Sequence, residues 1–542
     1  MAQHQSSSGA QSSPATTSTL HTYEGSPAAE AIPETLSADE RELHAQGHIA
    51  ELPRQFSMLS ILALSFSITN SWIGYSAVFV TPLWAGGGPA VIYCLVTAAV
   101  ACSLITAGLA ELSSAFPSTG GQYHFAYMVS DRRWAAVVAF FTGWMSVFAW
   151  LFTTASAFIF CAQVCVSLAS LFHPDYTPTQ WQIYLIYVAF VAACTLITIF
   201  LPKSIPLAET VFFGASLLGF VAFLITVLAA SETKQEARTI FVDWVNLTGW
   251  NDGAAFLLGT GQAMYTFLAV DSATHIAEEV PNPGRVVPQT MMMTVVIGIV
   301  TVMPWTLAFM FSIQDLDSVS SSSLPIVEVY FQTLRNSKAA TAFFTTWLLF
   351  VYLGACLACT VTTGRLIWAL ARDKVMVFSA TFDKVNKKLE VPVNATLFAG
   401  VFCTLYGLIY IGSTTAFNSF IATSILFLNV TYAIPQAVVL FRGRSRTLPP
   451  RYLDLGSVMG PFCNLFSVLW VALFTVIFCF PTFVPVAASG MNYVSVIIAG
   501  VCLFTTLLWC TSKRKTFTGP NLVLDGLEPV HATRTEPCKS DK

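Results

Sequence analysis

Charge is what this sequence is short of. Of its 542 residues only 10% are Asp, Glu, Lys or Arg while 55% are hydrophobic, against about 25% charged in an ordinary soluble domain. That balance excludes a soluble globular fold and describes an integral membrane protein. A net charge of −3 leaves no basic excess for a nucleic-acid partner, so charge is read loop by loop. The first 55 residues lack a basic stretch leading into an apolar one and are rich in Ser, Thr, Ala and Glu, which predicts a disordered cytosolic tail and no signal peptide. Within that tail SADERELHAQGHIAEL, 37 to 52, has the pattern of a short helix capped by Ser37 with Glu40 three residues on. The thirteen cysteines are scattered singly, apart from Cys161/Cys165 and Cys356/Cys359. Those two pairs have helical spacing in apolar runs and read as small core residues, so no disulfide framework or metal pair is inferred. Gly86, Gly87, Gly88 and Pro89 are followed by no Lys-Ser/Thr, which excludes a phosphate loop.

What is abundant is apolar length. From Phe56 onward the chain has twelve stretches of about 20 residues or more, each sufficient for about 30 Å of hydrocarbon. They run approximately 57 to 82, 88 to 115, 134 to 171, 180 to 201, 207 to 230, 253 to 279, 286 to 312, 339 to 371, 393 to 412, 415 to 441, 461 to 481 and 485 to 511. The predicted fold is therefore all-α and membrane-spanning, with a transporter domain at 56 to 512 and a second cytosolic tail at 513 to 542. One set of alternating loops carries fourteen Lys and Arg, the other only Lys234, Arg238, Arg335 and Lys338. The positive-inside rule then places the first set and both chain ends in the cytosol. The sequon Asn246-Leu247-Thr248 falls on the outer side, where Asn246 is a candidate for glycosylation.

Two spans are interrupted. Span 1 reads LSFSITNSWIGYSAVFVTPLW, with Thr69, Asn70, Ser71 and Gly74 at mid-membrane, and span 6 runs YTFLAVDSATHIAEEVPNPGR. Polar and helix-weakening residues at that depth need protein or a cavity beside them. They open spans 1 to 5 and spans 6 to 10, as an inverted five-helix repeat over about 57 to 230 and 253 to 441 would require, with the helices of 461 to 511 added. Broken helices expose N–H groups at one half-helix end and carbonyls at the other, which suits a zwitterion or an amine. The competing reading keeps Thr69, Asn70 and Ser71 as internal hydrogen-bonding groups and Gly74 as a close helix contact.

Three further segments carry a resemblance. GGGPAVIYCLVTAAVACSLITAGLAELSSAFPSTGGQYHFA (86 to 126), DSATHIAEEVPNPGRVVPQTM (271 to 291) and TTGRLIWALARDKVMVFS (362 to 379) resemble, in order, span 2 with its loop, span 6 with its exit, and the end of span 8 of fungal amino-acid/choline transporters in the amino acid-polyamine-organocation superfamily. The likeness covers essentially all of 56 to 512, and ITNSWIGYS (68 to 76) leans to the choline branch over the GABA branch. The resemblance implies a two-repeat fold with an alternating-access site between spans 1, 3, 6 and 8, usually driven by protons. It implies that Asn70, Ser71, Trp72, Ile73 and Gly74 form the unwound part of span 1, and Phe267, Leu268, Ala269, Val270 and Asp271 that of span 6. Glu111, Pro117, Gly120 and Gly121 match the loop motif, and His275, Glu278, Glu279 and Pro283 the span 6 exit. One departure is visible: several proton-coupled relatives have a lysine in span 5, whereas residues 207 to 231 contain none, so the coupling mechanism does not carry over.

Read as chemistry, Asp271 has three candidate duties: holding a substrate ammonium, accepting a coupling proton, or capping the second half-helix. Glu278 and Glu279 pair with Arg365 or Arg372 as an inner gate, or end a solvated helix. His275 is the one histidine within a span, a coupling residue or a hydrogen-bonded bundle member. A quaternary ammonium is recognised by ring faces, and Trp72, Tyr75, Trp144, Trp150, Tyr265 and Phe267 fall near the centre, although packing explains most aromatics in a chain that is 13% aromatic. Trp72 and Phe267, beside the breaks, are the favoured pair. The function expected is a permease importing an amino acid, GABA-like or choline-like amine across the plasma or vacuolar membrane by alternating access, without cofactor or metal. The alternatives are a transporter-like nutrient sensor and a carrier or exporter of a specialised amine or alkaloid. A channel lacks its charge rings, and an enzyme its catalytic constellation.

Overall fold

The computed structural model describes residues 52 to 520 apart from 174, 488 and 489. The helix expected from Ser37 and most of both tails lie outside the described residues. Among the described residues twelve helices are long and apolar enough to cross a membrane: Met58–Val78, Val80–Ala115, Ala135–Phe172, Gln180–Phe200, Pro202–Ala230, Asp252–Glu279, Pro283–Ser312, Lys338–Arg372, Val393–Gly412, Thr414–Arg442, Gly456–Ile477 and Val494–Lys513. They are called spans 1 to 12 below. No strand occurs among the described residues.

The start of span 2 agrees with the expectation once its kink is counted. Within Val80–Ala115 the backbone leaves helical geometry at Gly86 and Gly87 (φ 66°), which separates a short helical segment from Val80 from the helix that begins at about residue 88. The short segment tolerates Pro82 because its first turn needs no N–H there. Spans 3 and 8 hold 38 and 35 residues, about 50 Å or more at 1.5 Å per residue, so they extend well beyond the hydrocarbon.

Burial sorts centre from periphery. In span 1, 83% of the apolar window is buried, against 22% in spans 5 and 12. Span 5 shows both environments at helical spacing. Leu207, Val211, Leu218, Val221 and Ile225 are exposed toward lipid, whereas Glu209, Ser216, Gly219, Phe223 and Val227 form the buried stripe. Span 1 breaks at Asn70 (φ 27°, ψ 59°), between helices Met58–Thr69 and Ser71–Val78. Span 6 breaks where Leu268 is extended and Ala269 is left-handed (φ 63°), after a short turn at Met264–Phe267 and before the tight helix Val270–Glu279. Both interruptions therefore fall within the stretches the sequence marked.

Candidate functional site

The two breaks meet. Thr69 donates its hydroxyl to Ser65 O at 3.1 Å and, across to span 6, to Leu268 O at 3.3 Å. Beside this junction spans 1, 3, 6 and 8 enclose a cavity of about 10 Å³ lined by nine residues: Ile68, Thr153, Ala157, Tyr265, Leu268, Ala269, Tyr352, Ala355 and Cys359. It has room for about one water, so a solute of amino-acid size requires the walls to part. The Tyr265 hydroxyl lies 3.2 Å from Ser156 Oγ and 3.4 Å from the Tyr352 hydroxyl, and Phe160 packs on Tyr352 with ring centroids 4.6 Å apart. None of the nine lining residues is charged.

Of the residues assigned to the unwound segments, Leu268 and Ala269 line this cavity. The others turn elsewhere. Asn70 Oδ1 accepts from Ser216 Oγ of span 5 at 2.9 Å. Ser71 and Phe267 both press on span 7, since a Cβ at Gly298 would lie 2.3 Å from Ser71 Oγ and 3.5 Å from Phe267 Cε1. Gly74 lets the second half-helix close on the Thr69 carbonyl, 3.2 Å from where a Cβ would stand, and Ile73 and Val270 are buried in the core. Trp72 donates to Ser216 Oγ at 3.0 Å and packs edge-on against Trp305 and Phe223 at 5.5 and 5.7 Å, in an aromatic cluster between spans 5 and 7. Trp144 lies against Phe504 of span 12 at 5.2 Å. The expected pair Trp72 and Phe267 is thus absent from the cavity wall, and the rings there are Tyr265 and Tyr352. Tyr352 drew no notice in the sequence; its one signal is that 352, 355 and 359 share a face of span 8.

Asp271 sits below the break and is saturated. Its Oδ2 accepts from Gln122 Nε2 at 2.8 Å and Trp150 Nε1 at 3.1 Å and lies 3.1 Å from His275 Nε2, while Oδ1 accepts from the Tyr432 hydroxyl at 2.6 Å. One carboxyl group therefore ties span 6 to span 3, to span 10 and to the helix Gln122–Val129 after span 2. His275 Nδ1 lies 3.1 Å from Thr119 O. Gly121 (φ 56°) is the close approach that admits this ring: a Cβ would stand 2.8 Å from His275 Cε1 and 2.9 Å from Thr274 Oγ1.

On the face bearing the basic loops the span 6 exit is closed by ion pairs. Arg365 Nε donates to Glu279 Oε1 at 2.8 Å, with Gln55 Nε2 on Oε2 at 2.7 Å, and both charged side chains are buried. Arg372 forks onto Glu278 at 2.7 and 2.9 Å and lies 4.5 Å over the Trp368 ring. Next to this fork, burial pushes the Asp373 carboxyl up to about 7 and, with Arg372 adding, holds the His124 imidazole down at about 4. Glu111 stands apart. It accepts from Arg444, from Arg451 Nε at 2.8 Å and from the Leu455 amide at 3.1 Å, clasping span 2 to the loop between spans 10 and 11. On the opposite face both N–H groups of Asn246 are engaged, by Trp250 O at 2.8 Å and Asp252 Oδ1 at 3.0 Å.

Residues 56–502 match the model of the amino acid permease family. Among characterised proteins the chain is 36% identical over 483 residues to a choline transporter of Saccharomyces cerevisiae, covering 87% of this chain and 84% of that one. It is 28% identical to a swainsonine transporter of Arthroderma benhamiae (85% and 91% covered) and 26% identical to a 7-keto 8-aminopelargonic acid transporter of Saccharomyces cerevisiae (89% and 96%).

Proposed function

This chain belongs to the amino acid permease family and is a multi-pass secondary transporter for a small amine or amino-acid solute; from that premise we propose that the solute is a choline-like quaternary ammonium, imported across the plasma membrane with both termini in the cytosol. The carrying observation is the cavity at the breaks. A quaternary ammonium donates no hydrogen bonds and is attracted to ring faces. The Tyr265 and Tyr352 rings, with hydroxyls restrained by Ser156 and each other, offer such faces in a wall without charge. The Leu268 carbonyl at the break adds a negative dipole end. The 36% identity to a choline transporter supports the same reading.

Asp271 takes the role of conformational lock. Three of its four partners, Gln122, Trp150 and Tyr432, come from other elements that separate from span 6 when the site opens, so it responds to the solute's arrival through spans 3, 6 and 10. In this reading the repeats at about 57 to 230 and 253 to 441 move against each other, and the Glu278–Arg372 and Glu279–Arg365 pairs part as the inner gate. The deciding experiment is uptake of radiolabelled choline, GABA, lysine and proline into permease-deficient yeast. Saturable choline uptake is expected, nearly unchanged in Tyr352→Phe, with KM raised about tenfold or more in Tyr352→Leu, the scale of a desolvated cation–π contact of about 2 kcal/mol. Preferential uptake of GABA or proline would replace the choline reading.

A further inference from the structure

We propose that Glu209, on the buried stripe of span 5, is a proton-binding site whose proton is released when the cytosolic half of the transporter opens. The residue lies about 10 Å into span 5, at 1.5 Å per residue from Pro202. Its side chain is fully buried, and neither carboxyl oxygen has a close hydrogen-bond partner among the described residues. The Ser67 hydroxyl faces it from span 1, outside close hydrogen-bonding geometry. The titratable groups around it are two thiols: Cys359 of span 8, which also lines the central cavity, and Cys194 of span 4.

Four basic groups of the surrounding elements are engaged elsewhere, and the fifth, Lys338, opens span 8 at the end far from Cys359. Lys203, in the turn before span 5, pairs with Glu390. Arg365 and Arg372 of span 8 hold Glu279 and Glu278. Arg285 of span 7 stacks over Tyr452, and on the outer side Glu328 accepts from Gln332. A carboxylate buried from solvent, with no cation beside it and only the Ser67 hydroxyl facing it, is strongly disfavoured in hydrocarbon, so in this closed conformation Glu209 is the neutral acid.

That neutrality links it to the transport cycle. Ser67 lies three residues before the break in span 1, and the chain leading into that first half-helix holds the inner gate through Phe56 N, which donates to Glu279 O at 3.1 Å. When the half-helix swings from span 5, water reaches Glu209, the carboxyl O–H bond breaks, and its proton passes to cytosolic water. Reclosure requires the carboxylate to take a proton back. Acid thus favours the closed state, and opening releases one proton.

This inference rests on the transporter reading but not on choline. Full-length protein in liposomes would be studied by infrared difference spectroscopy at neutral pH, wild type against Glu209→Gln and Glu209→Asp. A protonated-carboxyl C=O band present in wild type, absent in E209Q and shifted in E209D supports it; spectra of wild type and E209Q that coincide overturn it. Counterflow of radiolabelled choline, with equal pH on both faces, is the second readout. Wild-type exchange is expected to fall on acidification by up to about tenfold per pH unit, the limit for one linked proton, and E209Q to show no such fall. E209Q retaining the wild-type pH profile also overturns it. If wild-type protein exchanges no choline, the solute assignment fails and the carboxyl band alone decides Glu209.

Discussion

At the scale of single residues, Gly121 and His124 show how tightly the region below the break is built. Gly121 combines a positive φ with a ring 2.8 Å from the position of a Cβ, so Gly121→Ala is expected to cost about 1–3 kcal/mol and to displace His275 from Asp271. A lowered melting temperature together with lost uptake would bear this out; wild-type values for both would refute it. His124 gives a pH signature. Its imidazole is held at about 4 by burial and then by Arg372, below the ordinary value of about 6.5. The folded state thus prefers the neutral ring, a contribution fully present above about 6.5 and lost as pH falls through about 4. Asp373, raised to about 7 in the folded state, contributes with the opposite sign over the same window, so His124 is read from the difference between two proteins. As pH falls through that window, wild type should lose stability relative to His124→Gln by at most about 1.4 kcal/mol per pH unit for one proton, measured by thermal unfolding in detergent; parallel profiles would sink the assignment.

At the scale of elements, the broken helices and the ion pairs beneath them form one unit. Residues 69 to 74 contain a polar cluster that would be unfavourable in an unbroken lipid-facing helix, and the backbone resolves it by leaving helical geometry at Asn70. The span 6 exit is then held by Glu279–Arg365, whose side chains are nearly inaccessible. Arg365→Ala leaves the Glu279 carboxylate buried with Gln55 alone, and a loss of about 3–5 kcal/mol is expected. The double variant E279Q/R365Q should recover part of it. A double-mutant cycle on thermal unfolding measures the coupling, and a coupling near zero would show that the pair does not hold the exit.

At the scale of the whole molecule, the C-terminal segment staples distant spans. Lys513 Nζ donates to Lys374 O at 2.6 Å and Met376 O at 2.7 Å, beyond the end of span 8. Phe517 packs against Tyr123 and Phe140 at 6.4 and 5.8 Å, bridging span 3 and the helix after span 2. Phe517 is only 4% exposed, so Phe517→Ala should cost about 3–5 kcal/mol. A clear fall in melting temperature would identify the segment as part of the fold, whereas no change would show it detached.

Much of this architecture was legible beforehand. Hydropathy and length located the twelve spans, because each must satisfy its backbone internally across a fixed thickness. The polar residues at 69 to 74 and 265 to 279 likewise marked the interruptions, since they fit only beside protein or a cavity. Which way side chains face was not legible. Counting 100° per residue predicts a helix face only while the helix continues, and at Asn70 and Ala269 the count restarts from an arbitrary angle. Trp72 and Phe267, adjacent to the breaks, consequently turn toward spans 5 and 7, while Tyr265 and Tyr352 reach the cavity. The same limit conceals Glu209: looking in span 5 for a lysine passes over an acid whose isolation appears only when spans 1, 4 and 8 close around it. Sequence by itself determined where the chain crosses the membrane and where it breaks, because these follow from local solvation. Tertiary packing alone decided which groups meet, because the facing of one helix against another depends on every other contact each makes.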